Sequence, residues 1–332
     1  MDVRSEGEVL LHPISDDRPC GQDLEDTPLL ASFDTFRLFG QATPLEPVPE
    51  WGAIRDAALE SLGKSKDLRL LAHLSAAVLR IDGLQAFAET LTVAAEWLAR
   101  YWKDVHPRVD EDAVLRRNAL NCFADSMAIV DGLRRAPLVD SRQHGRFCLR
   151  DFDLASGQVQ PGPAESRPDE ARINAAFGSV SVEDLTRVQQ GAASAIAALQ
   201  RIDALMREAA GAAGAPAFDG LTTQLARIDR ILRVQLAAHP NGHAQSDAVV
   251  EGSPAVDVGP LPGGAIRSRA DAIRALDAVA EFFRHHEPSS PIPLFLERAK
   301  RLVSKDFLAV LADIAPGALA EARAAGGLKD GE

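Results

Sequence analysis

Apolar residues recur at intervals of three and four through most of this chain, in runs that stop at glycine or proline. That spacing places them on one stripe of an α-helix and commits the chain to packed amphipathic helices. Trp51, Ile54, Ala58, Leu59 and Leu62 share one face, and Gly63 ends the run. Asp67 suits the cap of a second helix, along which Leu70, Leu71, Leu74, Val78 and Ile81 recur until Gly83. A third runs from Leu84 through Phe87, Leu91 and Leu98 to Tyr101 and Trp102, before Pro107. A fourth carries Leu115, Leu120, Phe123, Met127 and Ile129 to about Leu133. The spacing predicts a helical N-terminal domain over residues 1–140. Its residues 11–50, rich in Pro and Asp, read as a turn-bearing lead-in.

The pattern changes after residue 140. FCLRDFDLASGQV (Phe147–Val159) partly alternates and carries a Ser-Gly turn, which predicts a short hairpin there. PGPAESRPDE reads as a loop, with Asp169 capping a short helix that reaches Phe177. From Ser181 the spacing becomes heptad-like. Leu185, Ala192, Leu199 and Met206 fall seven apart, with Val188, Ala195 and Ile202 between them. GAAGAP breaks this run, and Leu221, Leu225, Ile228, Leu232 and Leu236 mark a second. Residues 141–238 therefore form a middle domain built on an antiparallel helical hairpin, either coiled coil or plain bundle pair. Residues 239–265 hold five Gly and four Pro without periodicity and read as a flexible linker. In residues 266–332, Ile266, Ala270, Ile273, Leu276, Ala280 and Phe283 mark one helix. Ser290 before Pro291 caps a second with Leu294, Phe295, Ala299, Leu302 and Val303, and Phe307, Leu308, Leu311 and Ile314 mark a third. The expected fold class is all-α and multidomain, ending in a small helical oligomerisation module.

The chain has 332 residues with a net charge of −12. Residues 1–140 alone carry 15 basic and 24 acidic residues, a net of −9. Such an acid excess argues against nucleic acid or an anionic membrane as partner, since both need clustered Lys and Arg. No apolar run reaches the 18 or so residues of a membrane span, and the start MDVRSEGEVLLHPISDDRPCG has neither a basic opening nor an apolar core. Three widely spaced cysteines without a CxxC fit a reducing compartment. A cytoplasmic protein is expected.

Catalytic patterns are missing from the sequence. There is no phosphate-binding glycine loop, no GxSxG and no HExxH. His239 and His243 flank Pro-Asn-Gly, which breaks the helix that would let both hold one metal. Cys20 beside Arg18 and Gly21 sits where a turn could depress a thiol pKa, but no His is placed to use it. Acid pairs such as Glu25-Asp26 read as helix-start charge or solvated surface. No enzyme, cofactor or metal is expected. Trp51, Trp97 and Trp102 read as core and helix-edge packing, with Trp51 and Trp102 the candidates for a partner contact.

Four patches, in order, resemble the ImpA N-terminal domain of the TssA family of bacterial type VI secretion systems. They are LHPISDDRPCGQDLE (Leu11–Glu25), Trp51, SKDLRLLAHLSAAVLRIDG (Ser65–Gly83) and YWKDVHPRVDEDAVLRRNAL (Tyr101–Leu120). Ile266–Pro316, with EPSSPIPLFLERAKRLV at its centre, resembles the ending of the short, baseplate-type TssA class. The resemblance implies a non-enzymatic organiser at the cytoplasmic side of the inner membrane. Its C-terminal domains would form a high-order ring that helps recruit and prime tube and sheath assembly. The implied partners are baseplate subunits, the Hcp tube protein, the VgrG spike and the contractile sheath. The candidate ring contact comprises Phe283, Leu294, Phe295, Arg298, Leu302, Phe307 and Leu311. Two other readings stand beside it, a sheath-end cap that coordinates elongation and a generic helical adaptor.

Overall fold

Capping side chains set the helix ends in the computed structural model, which describes residues 3–109, 113–162, 165–241, 273, 276–277, 279–281, 284 and 292–303. Helix α1 spans Val3–Leu11, and α2 is the short Pro28–Ser32, continued by a 3-10 turn at Phe33–Phe36. Helix α2 and its turn lie in the lead-in, where turns rather than helix were expected. Helix α3 covers Trp51–Leu62 and ends at Gly63. The Asp67 carboxylate accepts the Arg69 amide at 2.8 Å and opens α4, Leu68–Ile81. Helix α5, Leu84–Arg100, stops before Tyr101 and Trp102.

The expected fourth helix is broken. Its parts are α6, Val114–Asn121, a 3-10 turn at Cys122–Ala124, a π-helical turn at Ser126–Val130, and α7, Asp131–Arg135. Asp125 makes the break. Its backbone is extended (ψ 137°), and its carboxylate caps the Met127 and Ala128 amides. The same carboxylate accepts the Gly40 amide at 2.7 Å and ties the lead-in to this corner.

The chain is mostly helical rather than wholly so. Strand β1, Pro137–Ser141, pairs antiparallel with β2, Gly145–Cys148. This hairpin lies upstream of the expected place. The Asp151 carboxylate accepts the Cys148 amide at 2.8 Å and starts α8, Leu149–Ala155, so the Ser-Gly pair follows a helix instead of joining strands. Asp169 caps α9, Glu170–Ser179, and Ser181 caps α10, Val182–Ala210, as the spacing predicts. Helix α11 is Asp219–Ala238.

Helices α4 and α5 form the centre. Nearly every position of α4 from Leu68 to Leu79 is buried, and Ala72, Ser75, Ala76 and Ala77 among them let neighbours approach closely. Helix α10 packs more extensively against α5 than against α11, which favours a bundle over a free-standing coiled coil. Gly191 lies at the α10–α5 crossing, where an added Cβ would stand 3.3 Å from the Gln85 Cα. One hydrophobic core extends from Leu10 to Leu232.

The chain divides into two units, Met1–Ala248 and Val249–Glu332. In the second, α12 spans Ile292–Val303, close to the predicted range. The linker beyond Asn241, Ser290 and the expected helix from Phe307 to Ile314 lie outside the described residues.

Candidate interaction surfaces

Three of the sequence patches quoted above meet in the first unit. The Gln22 amide donates to the Lys64 carbonyl (3.1 Å) and the Lys66 amide to the Cys20 carbonyl (2.9 Å). The His106 amide donates to the Lys66 carbonyl (3.0 Å), and the Leu68 amide to the His106 carbonyl (2.9 Å). Gly21 is required in this braid. Its φ is +73°, and a Cβ there would meet the Lys64 carbonyl oxygen at 2.2 Å.

Two buried cations lock the braid. Lys66 Nζ donates to the Leu10 carbonyl (2.6 Å) and lies 5.0 Å from the Trp97 ring centre, while Trp97 Nε1 donates to the same carbonyl (2.8 Å). Arg116 is enclosed by main chain, with Nη1 on the Trp102 carbonyl (2.8 Å), Nη2 on Val105 (2.7 Å), and both Nε and Nη2 on Pro107 (3.1 and 3.0 Å). These residues build the fold rather than a reaction centre.

Burial also decides the titratable groups here. The Cys20 thiol is pushed up to about 11, opposite to the depression that its turn and Arg18 suggested. His239 is committed locally, with Nε2 on the Val180 carbonyl (3.0 Å) and Nδ1 accepting the Asn241 amide (3.1 Å). His243 lies outside the described residues. No cluster of three His, Cys, Asp or Glu suited to a metal occurs among the described residues.

Burial lowers the Lys66 pKa from 10.5 to about 8. The unfolded chain therefore holds more protons than the folded one between those values. Lys66 penalises the fold below pH 8 and ceases to do so as pH rises through the window. Lys66→Met is expected to lose no more than ~1 kcal/mol at neutral pH, because Trp97 still satisfies the Leu10 carbonyl. Above pH 8 the wild type should gain on the variant by up to ~1 kcal/mol per pH unit. Urea denaturation of both proteins at neutral and alkaline pH checks this. The comparison cancels Cys122 and Cys148, whose raised values act in the opposite sense. A constant difference across pH would refute the titration.

Trp51 and Trp102 are half-buried, each beside a different arginine. Arg80 sits 5.0 Å from the Trp51 ring centre, and Arg116 sits 4.7 Å from that of Trp102. Of the C-terminal candidates, Leu294 and Phe295 on α12 are 75% and 66% exposed. Arg298 and Leu302 are on the same helix. Phe283, Phe307 and Leu311 lie outside the described residues. Beside α12, Arg284 Nη2 donates to Glu297 (2.9 Å), and Lys300 pairs with Asp277.

A cavity of about 660 Å³ opens between α2, the 3-10 turn and α4. Pro28, Leu30, Ala31, Phe33, Phe39, His73 and Cys122 line it, with Glu25, Asp26, Asp34 and Arg69 among its charged groups. His73 packs edge-to-face with Phe33 (5.0 Å) and Phe39 (4.8 Å), with Phe36 at 6.4 Å. Its Nδ1 is 2.9 Å from the Arg69 carbonyl, and burial lowers its pKa, so the ring is neutral at pH 7. Sequence reasoning passed over this site, taking Glu25-Asp26 as solvated charge. The three-residue spacing of Phe33 and Phe36, with Phe39 beyond the left-handed Arg37, was the available signal, since it matches a 3-10 turn.

Comparison with known proteins bears on the whole chain. The family model for the ImpA N-terminal region of type VI secretion systems matches residues 11–125, a span that holds the braid. The chain is 31% identical over 340 residues to the "Type VI secretion system component TssA1" of Pseudomonas aeruginosa, covering 94% of this chain and 96% of that protein. A solved N-terminal domain of the TssA component from Burkholderia cenocepacia, which includes the conserved ImpA_N region, shares the fold. It matches with a TM-score of 0.58 at 23% identity, covering 72% of this chain and 96% of its own.

Proposed function

The chain belongs to the TssA family, and on that premise we propose that it is a non-enzymatic, ring-forming assembly component of a bacterial type VI secretion system. The observation that carries the ring is the exposure of Leu294 and Phe295, neighbours on α12. Two large apolar side chains left together in water favour association, because burying each is worth ~1.5–3 kcal/mol. In this reading residues 266–332 form the ring, with Phe283, Leu294, Phe295, Arg298, Leu302, Phe307 and Leu311 at the contact between copies. Residues 1–140 and 141–238 form an arm that meets partners, with Trp51 and Trp102 at its contacts.

Of the expected linker 239–265, His239 is held on the Val180 carbonyl and Asn241 on His239, and the residues after Asn241 act as the tether. As a coil, a segment of that length spans ~25–30 Å, enough for arms to reach partners out of register with the ring. Repetition around the ring then gives avidity from weak contacts. The ring works in the cytoplasm at the inner membrane. There it recruits baseplate subunits, the Hcp tube, the VgrG spike and the contractile sheath, and primes their assembly.

Light scattering on the full chain, beside a chain ending at Pro260, tests the ring. A large closed oligomer that collapses on truncation is expected. A full-length monomer or dimer, or a truncated chain that keeps the full native mass, would overturn it.

A further inference from the structure

We propose that the cavity between α2, the 3-10 turn and α4 receives a lysine or arginine side chain carried on a segment of a partner protein. The inference rests on the reading of residues 1–238 as a partner-binding arm, and it supplies a chemistry for one contact.

Charge selects the guest. Arg69 is the cation of the wall, and it is already spent. Its Nε and Nη2 donate to Asp67 (3.0 and 2.7 Å), and its Nη1 donates to Glu25 (2.5 Å). Three of its five N–H donors are thus taken, and two carboxylates already offset its charge, so an anion meets little net positive charge there. Asp26 and Asp34 are exposed at the rim, and among the described residues neither makes an ion pair or a side-chain hydrogen bond. With His73 neutral, the cavity is left with net negative charge. A purely apolar guest would cover these carboxylates without pairing them, which costs free energy. A basic side chain satisfies both parts of the lining. Its aliphatic stem packs along Pro28, Leu30, Phe33 and Phe39, and its charged end meets Asp26 and Asp34. The aromatic lining adds cation–π attraction to that charge. Ala31, Asp26 and Asp34 are exposed, so the guest's main chain can stay outside while the side chain enters.

The test is selection of a random heptapeptide phage library on the immobilised full-length protein and, in parallel, on the double variant Asp26→Asn, Asp34→Asn. Both positions are exposed, and asparagine tolerates the φ of +57° at residue 26, so the variant keeps the fold. Peptides sharing one lysine or arginine position are expected on the wild type and not on the variant. A synthetic copy, followed by fluorescence anisotropy, should bind the variant about tenfold more weakly. It should lose as much when its basic residue becomes glutamine, and should weaken as salt rises. Selected peptides without a basic position, or equal binding to both proteins, overturn the proposal. Failure of the ring is separately visible, since native mass does not depend on this cavity. A monomeric protein that still selects basic peptides keeps the cavity and loses the ring, and an oligomer that selects none does the reverse.

Discussion

Replacing Arg116 by methionine is expected to lower the unfolding free energy by ~3–5 kcal/mol, read as a fall in the urea midpoint followed by circular dichroism. Arg116 has no exposed surface and reaches the carbonyls of Trp102, Val105 and Pro107 with one planar fork. Methionine fills much of the volume but leaves three carbonyls without that donor, at ~1–3 kcal/mol for each one that stays dry. Lysine keeps the charge but cannot serve three acceptors in a plane, so Arg116→Lys should also be clearly destabilised. The contrast with Lys66 is instructive, because both are buried cations held by carbonyls. At Lys66 a second donor, Trp97 Nε1, already serves the same oxygen, so loss of the ammonium strands nothing. At Arg116 the guanidinium alone gathers three carbonyls of the loop at 102–107. A fall below ~1 kcal/mol for Arg116→Met would mean that water or relaxation satisfies those carbonyls.

What could be read from sequence follows from how local each cause is. Helices α4 and α10 were legible because their start signals, Asp67 and Ser181, act on amides two and three residues away. The break at Asp125 was not. Leu120, Phe123, Met127 and Ile129 keep a helix-like spacing across it, and the cap competes with the helix without disturbing the apolar pattern. The hairpin was displaced for a similar reason. Alternation over a few residues at Phe147–Leu154 fits a strand and a single helical turn alike, and the Asp151 cap decides for helix from Leu149. The absence of catalytic motifs and the family resemblance were legible from residue identities. The cavity was not, because Phe33, Phe36 and Phe39 surround a histidine more than thirty positions away. Nor was the burial of Lys66 and Arg116, since charged residues in amphipathic runs ordinarily face water.

On the proposed ring, the double variant Leu294→Asp, Phe295→Asp is expected to leave single chains without unfolding the first unit. The wild-type pair stands in water on α12, so its loss removes no packing from the core between Leu10 and Leu232. At a contact between copies, burying both side chains contributes ~3–6 kcal/mol, which is ~10²–10⁴ in the association constant. Aspartate adds to the loss, because a desolvated, unpaired carboxylate opposes association. Light scattering at micromolar concentration should report one chain per particle, with an unchanged urea midpoint for the first unit. An unchanged native mass would exclude these residues from the contact and place it elsewhere. The effect is steep because closure multiplies it. In a closed ring every protomer is held on two sides by the same contact, so one substitution weakens each joint in the circle. In the proposed ring, the avidity of repeated weak arms would disappear with the same joints, which makes this pair the most economical place to separate arm from assembly.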